Sequence, residues 1–308
     1  MSTYSAEQGR PEAIRAVPVR HPGRIVAAIF IALIGLMMIN MFITNPRFAW
    51  AEQWKYVFDE NVIRGVKTTL WLTAAAMLIG LVLGVIVAIG RLSKNPLVAG
   101  AAWIYVWIFR GTPVLVQLLV WANIGALLPT VGLGIPFGPE FITWKTFDLV
   151  PSLAAALLGL GLNEAAYMSE IVRAGILSVD EGQNEAATAL GLSRGQTLRR
   201  IVLPQAMRVV VPPFGNETIS MLKTTSLVAY VPYYELLFNV QNIYVRTYQV
   251  MPMLIMASLW YLLMSSILTV AQYYIERHYA RGASRALPPT PWQRLRRVIA
   301  NLQGRRLS

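Results

Sequence analysis

SVDEGQNEAATALGLSRGQTLRRIVLP, residues 178–204, is a polar stretch set between two apolar ones, with more internal punctuation than a plain connector. Ser178-Val179-Asp180-Glu181 fits a capping box, in which the serine satisfies free backbone amides and the glutamate reaches back. A short helix over residues 183–190 would place Ala186, Ala187 and Leu190 on one face, because positions three and four apart align. Gly191 is suited to the left-handed turn that ends a helix. Ser193-Arg194-Gly195-Gln196 is a second capping box, and the helix it opens gathers Leu198, Ile201 and Val202 until Pro204 is expected to stop it. The product is two capped helices with a small apolar face beside Arg194, Arg199 and Arg200. Such a face in water is either covered by another protein or packed back on its own chain. The residues alone leave both open.

The segments on either side say where this stretch sits. Of the 308 residues 56% are hydrophobic and only 14% charged, against about a quarter charged in soluble domains. The apolar residues fall in runs of roughly 20, the length a helix needs to cross a bilayer. These runs imply an all-α polytopic membrane protein with about six transmembrane helices. The segments run over residues 25–43, 68–89, 113–128, 152–177, 207–231 and 250–275. The third starts at the helix-breaking Arg110-Gly111-Thr112-Pro113, with the aromatic-rich 97–109 as an interfacial lead-in. Residues 129–150, rich in Gly and Pro, read as an external loop. The fifth segment is interrupted by Pro212-Pro213 and Asn216-Glu217. In the second, Gly80 and Gly84 form a small-xxx-small pair that lets another helix approach closely.

Basic residues fix the orientation. Arg91, Lys94, the arginines of 194–208 and the basic tail fall on one side when the N-terminus is inside. Both termini and residues 178–205 are then cytoplasmic. The net charge of +12 is concentrated at the two ends of the chain, the ordinary signature of membrane flanks, and does not call for nucleic acid. Contact of the tail with anionic lipid is the alternative use of that charge. Residues 292–302 are expected to form a short basic amphipathic helix on the membrane surface. Ala49-Trp50-Ala51 resembles a signal cleavage site, but it lies well beyond an apolar run longer than a usual signal core, so the first segment reads as an anchor. With no cysteine and only His21 and His278, disulfides and clustered metal ligands are excluded from the sequence.

Polar groups inside spans are costly and mark function or interhelical bonding. The fourth span carries Asn163, Glu164 and Tyr167 within one turn. The fifth carries Asn216, Glu217 and Ser220, with Lys223, Thr224, Thr225 and Ser226 further along. Carboxylates and amide oxygens suit an ammonium; hydroxyls, amides or a lysine suit a carboxylate. A path for an amino acid and a set of interhelical hydrogen bonds both fit these residues. Glu170 and Arg173, nearer the cytoplasmic end, read as a structural ion pair.

Glu185-Ala186-Ala187, Gly191 and Ile201-x-Leu203-Pro204 together resemble the EAA loop of ABC importer permeases. The surroundings resemble the polar amino acid group (histidine, glutamine, arginine, opine). They are Arg110-Gly111-Thr112-Pro113 with Gln117, Ala166-Tyr167 with Glu170-Ile171 and Arg173, Ser178-Val179 with Gly182-Gln183, Leu203-Pro204-Gln205-Ala206 with Arg208, and Lys223-Thr224-Thr225-Ser226-Leu227. The resemblance covers residues 65–277 as a permease core. It leaves out a cytoplasmic segment 1–24, an extra helix and linker over 25–64, and a basic tail 278–308.

The resemblance implies a type I importer transmembrane domain in a bacterial cytoplasmic membrane, importing a polar amino acid or opine-like derivative. Glu185, Ala186, Ala187, Gly191, Ile201, Leu203 and Pro204 would contact a dimer of ATP-binding subunits. Asn163, Glu164, Tyr167, Asn216, Glu217, Thr225 and Ser226 would line the substrate path. A second permease subunit and an extracytoplasmic solute-binding protein complete the assembly. No Gly-x-x-x-x-Gly-Lys-[Ser/Thr] loop is present, so ATP and magnesium belong to the partner ATPase and this chain is not itself an enzyme. A permease for another solute and an ion-coupled carrier are the alternatives. A membrane-embedded enzyme using Glu164 or Glu217 lacks any clustered nucleophile or metal set to support it.

Overall fold

The computed structural model describes residues 22–135, 138–279 and 296. The chain forms two compact units, Met1–Trp50 and Ala51–Ser308. In the first, α1 (Pro22–Thr44) is apolar on all faces and has no buried residue, as befits a helix whose solvent is lipid. A 3-10 turn (Pro46–Phe48) comes next, capped by the Asn45 side chain. Phe42, Phe48 and Trp50 pack together here, and the Trp50 indole N–H donates to the Phe42 carbonyl at 2.9 Å. The short α2 (Trp50–Tyr56) starts at the boundary of the two units. Apart from residue 296, the expected tail helix over 292–302 lies outside the described residues, as do both chain ends.

In the second unit, α3 (Glu60–Arg91) is capped by Asp59, and α8 (Ser152–Leu177) is its principal partner. A β-carbon built on Gly80 would stand 2.5 Å from Glu164 Cγ, and one on Gly84 2.5 Å from Met168 Cβ. The small-residue pair therefore admits α8 against the α3 backbone, as the sequence spacing suggests. One core cluster gathers Leu72, Ala76 and Met77 of α3 with Ala156, Leu160 and Met168 of α8. A second joins Val62 and Val66 to Met253, Met256 and Met264 of α13 (Val250–Tyr279).

Between these helices lie α12 (Leu236–Thr247) and a fully buried Glu235. Its carboxylate accepts the Phe238 N–H at 2.6 Å, capping α12, and the Tyr261 hydroxyl at 2.7 Å. Thr69 on α3 accepts the Leu236 N–H. One acidic residue thus fastens α12 and α13 beside α3, a use of Glu235 that its loop position does not announce.

The spans differ from the sequence reading in three places. By length and composition α1, α3 and α13 are each able to cross a membrane, and α4 (Pro96–Gly111) with α5 (Val114–Ala122) qualifies as a pair bent by 102°. The third segment does not run from 113 to 128. α5 stops at Ala122, and the Asn123 side-chain amide donates to the Leu119 carbonyl at 2.8 Å before a single further turn, α6 (Ile124–Leu127). Nine residues rise only about 14 Å, so most of the apolar length lies in α4, ahead of the break.

The external loop contains an antiparallel hairpin, β1 (Thr130–Gly134) with β2 (Glu140–Lys145), and then α7 (Thr146–Leu149). Among the described residues the fold is helical apart from this ribbon. α11 (Leu203–Thr224) continues without interruption through Pro212 and Pro213, and the Pro212 carbonyl accepts the Gln272 amide at 2.9 Å. The final stretch, Thr225–Tyr230, is 3-10 rather than α-helical. α8 and α11 have the length of spans, but polar residues in their middles lower their apolar character, and those residues form the site.

Candidate functional site

Proline makes the site's first wall. Pro113 pushes its predecessor out of the helical region, and Thr112 is extended at φ −117°, ψ 146°. Carbonyls at the end of α4 lose their helical partners there, and side-chain amides replace them. Gln117 Nε2 donates to Phe109 O at 2.9 Å and to Thr112 O at 3.1 Å. Asn163 Nδ2, from α8, donates to the same Phe109 carbonyl at 2.9 Å and lies 3.2 Å from Gln117 Oε1. Tyr105 adds a hydroxyl bond to Leu162 O at 2.7 Å. The break is thereby fixed rather than left as a hinge.

Around it lies a polar cavity of about 560 Å³, within the usual range for small-ligand pockets. Arg110, Thr112 and Pro113 line it from the break, and Asn163, Glu164 and Tyr167 from α8. Glu217, Ser220, Met221 and Thr224 line it from α11. The Arg110 guanidinium sits 5.1 Å from the Tyr167 ring centroid, a cation–π geometry that holds the charge at the cavity wall. Glu164 is buried, with Oε1 unpartnered among the described residues, in the space that Gly80 leaves open.

Of the seven proposed path residues, four meet here: Asn163, Glu164, Tyr167 and Glu217. Three do not. Asn216 is one position from Glu217, so the 100° step of the helix turns it to an exposed side. Thr225 is fully buried, and its hydroxyl donates to Leu222 O. Ser226, in the 3-10 turn, bonds Lys223 O instead. Lys223 is not among the lining residues, and the cation present is Arg110. The Arg110–Pro113 motif signals the helix break, but nothing local to it points the guanidinium at α8. The i, i+3, i+7 spacing of Glu217, Ser220 and Thr224 was readable as a face.

At the other end of α8, Glu170 bonds Arg173 at 2.6 Å, as expected, and also Arg91, the last residue of α3, at 3.1 Å. The polar stretch beyond α8 departs from expectation at both ends. Asp180, not Ser178, caps α9 (Glu181–Ala189), accepting the Gly182 N–H at 2.8 Å, while the Ser178 hydroxyl turns back to Gly175 O. With Ser178 engaged by α8, the cap passes to the next side chain able to accept an amide, and the helix start moves with it. Gly191 takes φ +72°, as the helix end requires.

The second capping box forms as read: the Ser193 N–H donates to Gln196 Oε1 at 2.9 Å, opening α10 (Arg194–Thr197). Pro204 does not end the helical run. A π-helical turn over Leu198–Val202 leads straight into α11, with the Leu203 N–H bonded to Leu198 O. A widened turn relieves the clash between a proline ring and the carbonyl four residues earlier.

Burial divides the face assigned to this stretch. Ala187 is 1% exposed, and Val179, Val202 and Ala206 form a small core with Ile176. Glu185, Ala186 and Gly191 are exposed, Leu190 is 79% exposed, and Leu203 and Pro204 lie open with Ile201 half-buried. Self-packing and an open face are both present, on different residues.

A span broken beside a charged cavity, and a capped polar loop at the far end of the cavity's central helix, fit a membrane permease. Comparison with known proteins gives its kind. Residues 80–281 match the family model described as binding-protein-dependent transport system inner membrane component, and the chain belongs to that family. It is 46% identical over 288 residues to the arginine transport system permease protein ArgU of Corynebacterium glutamicum, covering 92% of this chain and 88% of that one. It is 35% identical over 240 residues to the histidine/lysine/arginine/ornithine transport system permease protein HisM of Salmonella typhimurium, covering 76% and 97%. The solved structure of an amino acid ABC transporter with histidines superposes with a TM-score of 0.61 at 31% identity, over 75% of this chain and 98% of that one. The fold is that of a type I ABC importer permease.

Proposed function

We propose that this permease passes cationic amino acids, arginine foremost, through the cavity between α8, α11 and the α4–α5 break. The observation that carries it is the charge of the cavity: two carboxylates, Glu164 and Glu217, against the single guanidinium of Arg110. An amino acid such as arginine carries two positive groups and one negative. Arg110 matches the carboxylate, while Glu164 and Glu217 match the ammonium and the side-chain cation. A neutral amino acid would leave one buried carboxylate without a partner, a costly arrangement in low dielectric. The names of the arginine and histidine/lysine/arginine/ornithine permeases support the same substrate class.

ATP-binding subunits supply the driving energy, docking on Glu185, Ala186, Gly191, Ile201, Leu203 and Pro204. Ala187, 1% exposed, lies beneath that surface and supports α9 rather than touching the partner. A second permease copy or relative closes the pathway, and an extracytoplasmic solute-binding protein delivers the cargo. Both termini and the docking loop lie on the cytoplasmic side of the cytoplasmic membrane.

Uptake by the reconstituted complex tests the cavity. E164Q, E217Q and R110Q are expected to lower arginine uptake at least about tenfold each, equivalent to about 1.4 kcal/mol, with complex assembly unchanged. Undiminished uptake in E164Q and E217Q would remove the cavity from the pathway.

A further inference from the structure

The β1–β2 hairpin has no role in the site, and its two faces differ sharply. Directly paired residues in an antiparallel ribbon share a face. The register pairs Val131 with Trp144 and Leu133 with Ile142, so four large apolar side chains line one side. The alternate pairs put Thr130 with Lys145 and Gly132 with Thr143 on the other, where Glu140 lies over Gly132. The apolar face is open: Val131 is 42% exposed, Leu133 64%, Ile142 52% and Trp144 40%. Leu128 before the ribbon and Phe147 after it are also open, 53% and 80% exposed. Two strands alone are marginal in water, and an uncovered apolar face marks an interaction surface.

We propose that this ribbon lies on the outer surface of the bilayer, its apolar face turned into the boundary between headgroups and acyl chains. Three observations choose lipid over a protein partner. The ribbon hangs between the ends of membrane helices, two residues after α6 and joined through α7 to α8. α8 rises about 39 Å from there to the coupling loop, which places the ribbon at the opposite membrane surface. Trp144 beside Lys145 is the pairing found at membrane interfaces, an amphipathic ring with a cation for headgroup phosphates. The depth is bounded as well. Two strands leave both edges with unpaired N–H and C=O groups, which hydrated headgroups satisfy and hydrocarbon does not.

The chain has no cysteine, so single labels can be placed on it without removing any. An environment-sensitive fluorophore at L133C or T143C, in proteoliposomes active for transport, reads the two faces separately. The label at 133 should lose fluorescence to lipids carrying a nitroxide near the top of the acyl chain, more than to lipids carrying it near the chain end. The label at 143 should instead be quenched by aqueous iodide. V131C and K145C repeat the comparison if either first variant disturbs the ribbon. Equal iodide quenching on both faces would overturn the proposal. So would protection at 133 that appears only when a loaded solute-binding protein is added, which would assign the face to that protein.

Discussion

Gly80 and Gly84 show how a single missing side chain sets what its neighbours do. At Gly80 the space is taken by Glu164, so the position that lets α8 approach α3 also accommodates the cavity's buried carboxylate. A methyl group at Gly84 would stand 2.5 Å from Met168 Cβ, an atom held to the α8 backbone that cannot swing away. We expect G84A to destabilise the permease by about 1–3 kcal/mol, the usual range for an overpacked core. Gly100, within α4, has nothing within 4 Å of the same added atom, so G100A should gain up to about 1 kcal/mol of helix propensity. Thermal unfolding in detergent checks the pair: the midpoint falls for the first and does not fall for the second. Equal shifts would mean that the α3–α8 approach is not as close as described. The Gly80/Gly84 spacing was legible from the sequence. That Gly80 faces Glu164 was not, because the rotation of one helix about another is set by packing that no local pattern encodes.

At the scale of elements, the coupling stretch was legible in its second capping box and its turn at Gly191, but not in its first cap, its Pro204 end or the allocation of its surface. Ala186 and Ala187 are adjacent and chemically identical, yet one is exposed and the other is 1% exposed. Their substitution therefore separates docking from folding. A186W should leave the thermal midpoint within the range of ordinary surface changes, about 0.5 kcal/mol, and abolish ATP-driven uptake, because an indole holds the helix off its partner. A187W should lower the midpoint first. Undiminished uptake in A186W would take the exposed face out of the coupling contact. The π-turn before Pro204 and the broken span at Pro113 share one lesson. Proline marks where a helix must adjust, while the chain's other contacts decide how. At Pro204 a widened turn carries the helix on; at Pro113 the bend is kept because Gln117 and Asn163 satisfy the released carbonyls.

The whole molecule was the most readable level. Scarce charge, apolar runs and basic flanks indicate a helical membrane protein without reference to any side-chain contact, because the bilayer admits few alternatives. The site was half legible: Asn163, Glu164, Tyr167 and Glu217 announce themselves as polar groups in spans, whereas Arg110 joins them only through the bend. The resulting excess of carboxylate in the cavity is the basis for a cationic cargo, and the exposed coupling face is the basis for an external energy source. One measurement bears on both. The chain is reconstituted with its ATP-binding subunit and solute-binding protein, ATP is supplied on the coupling-loop side, and labelled arginine uptake is followed with no ion gradient. Arginine should accumulate only when ATP is present, and lysine but not glutamate should compete. Accumulation driven by a proton or sodium gradient without ATP would contradict this mechanism, as would equal competition by glutamate.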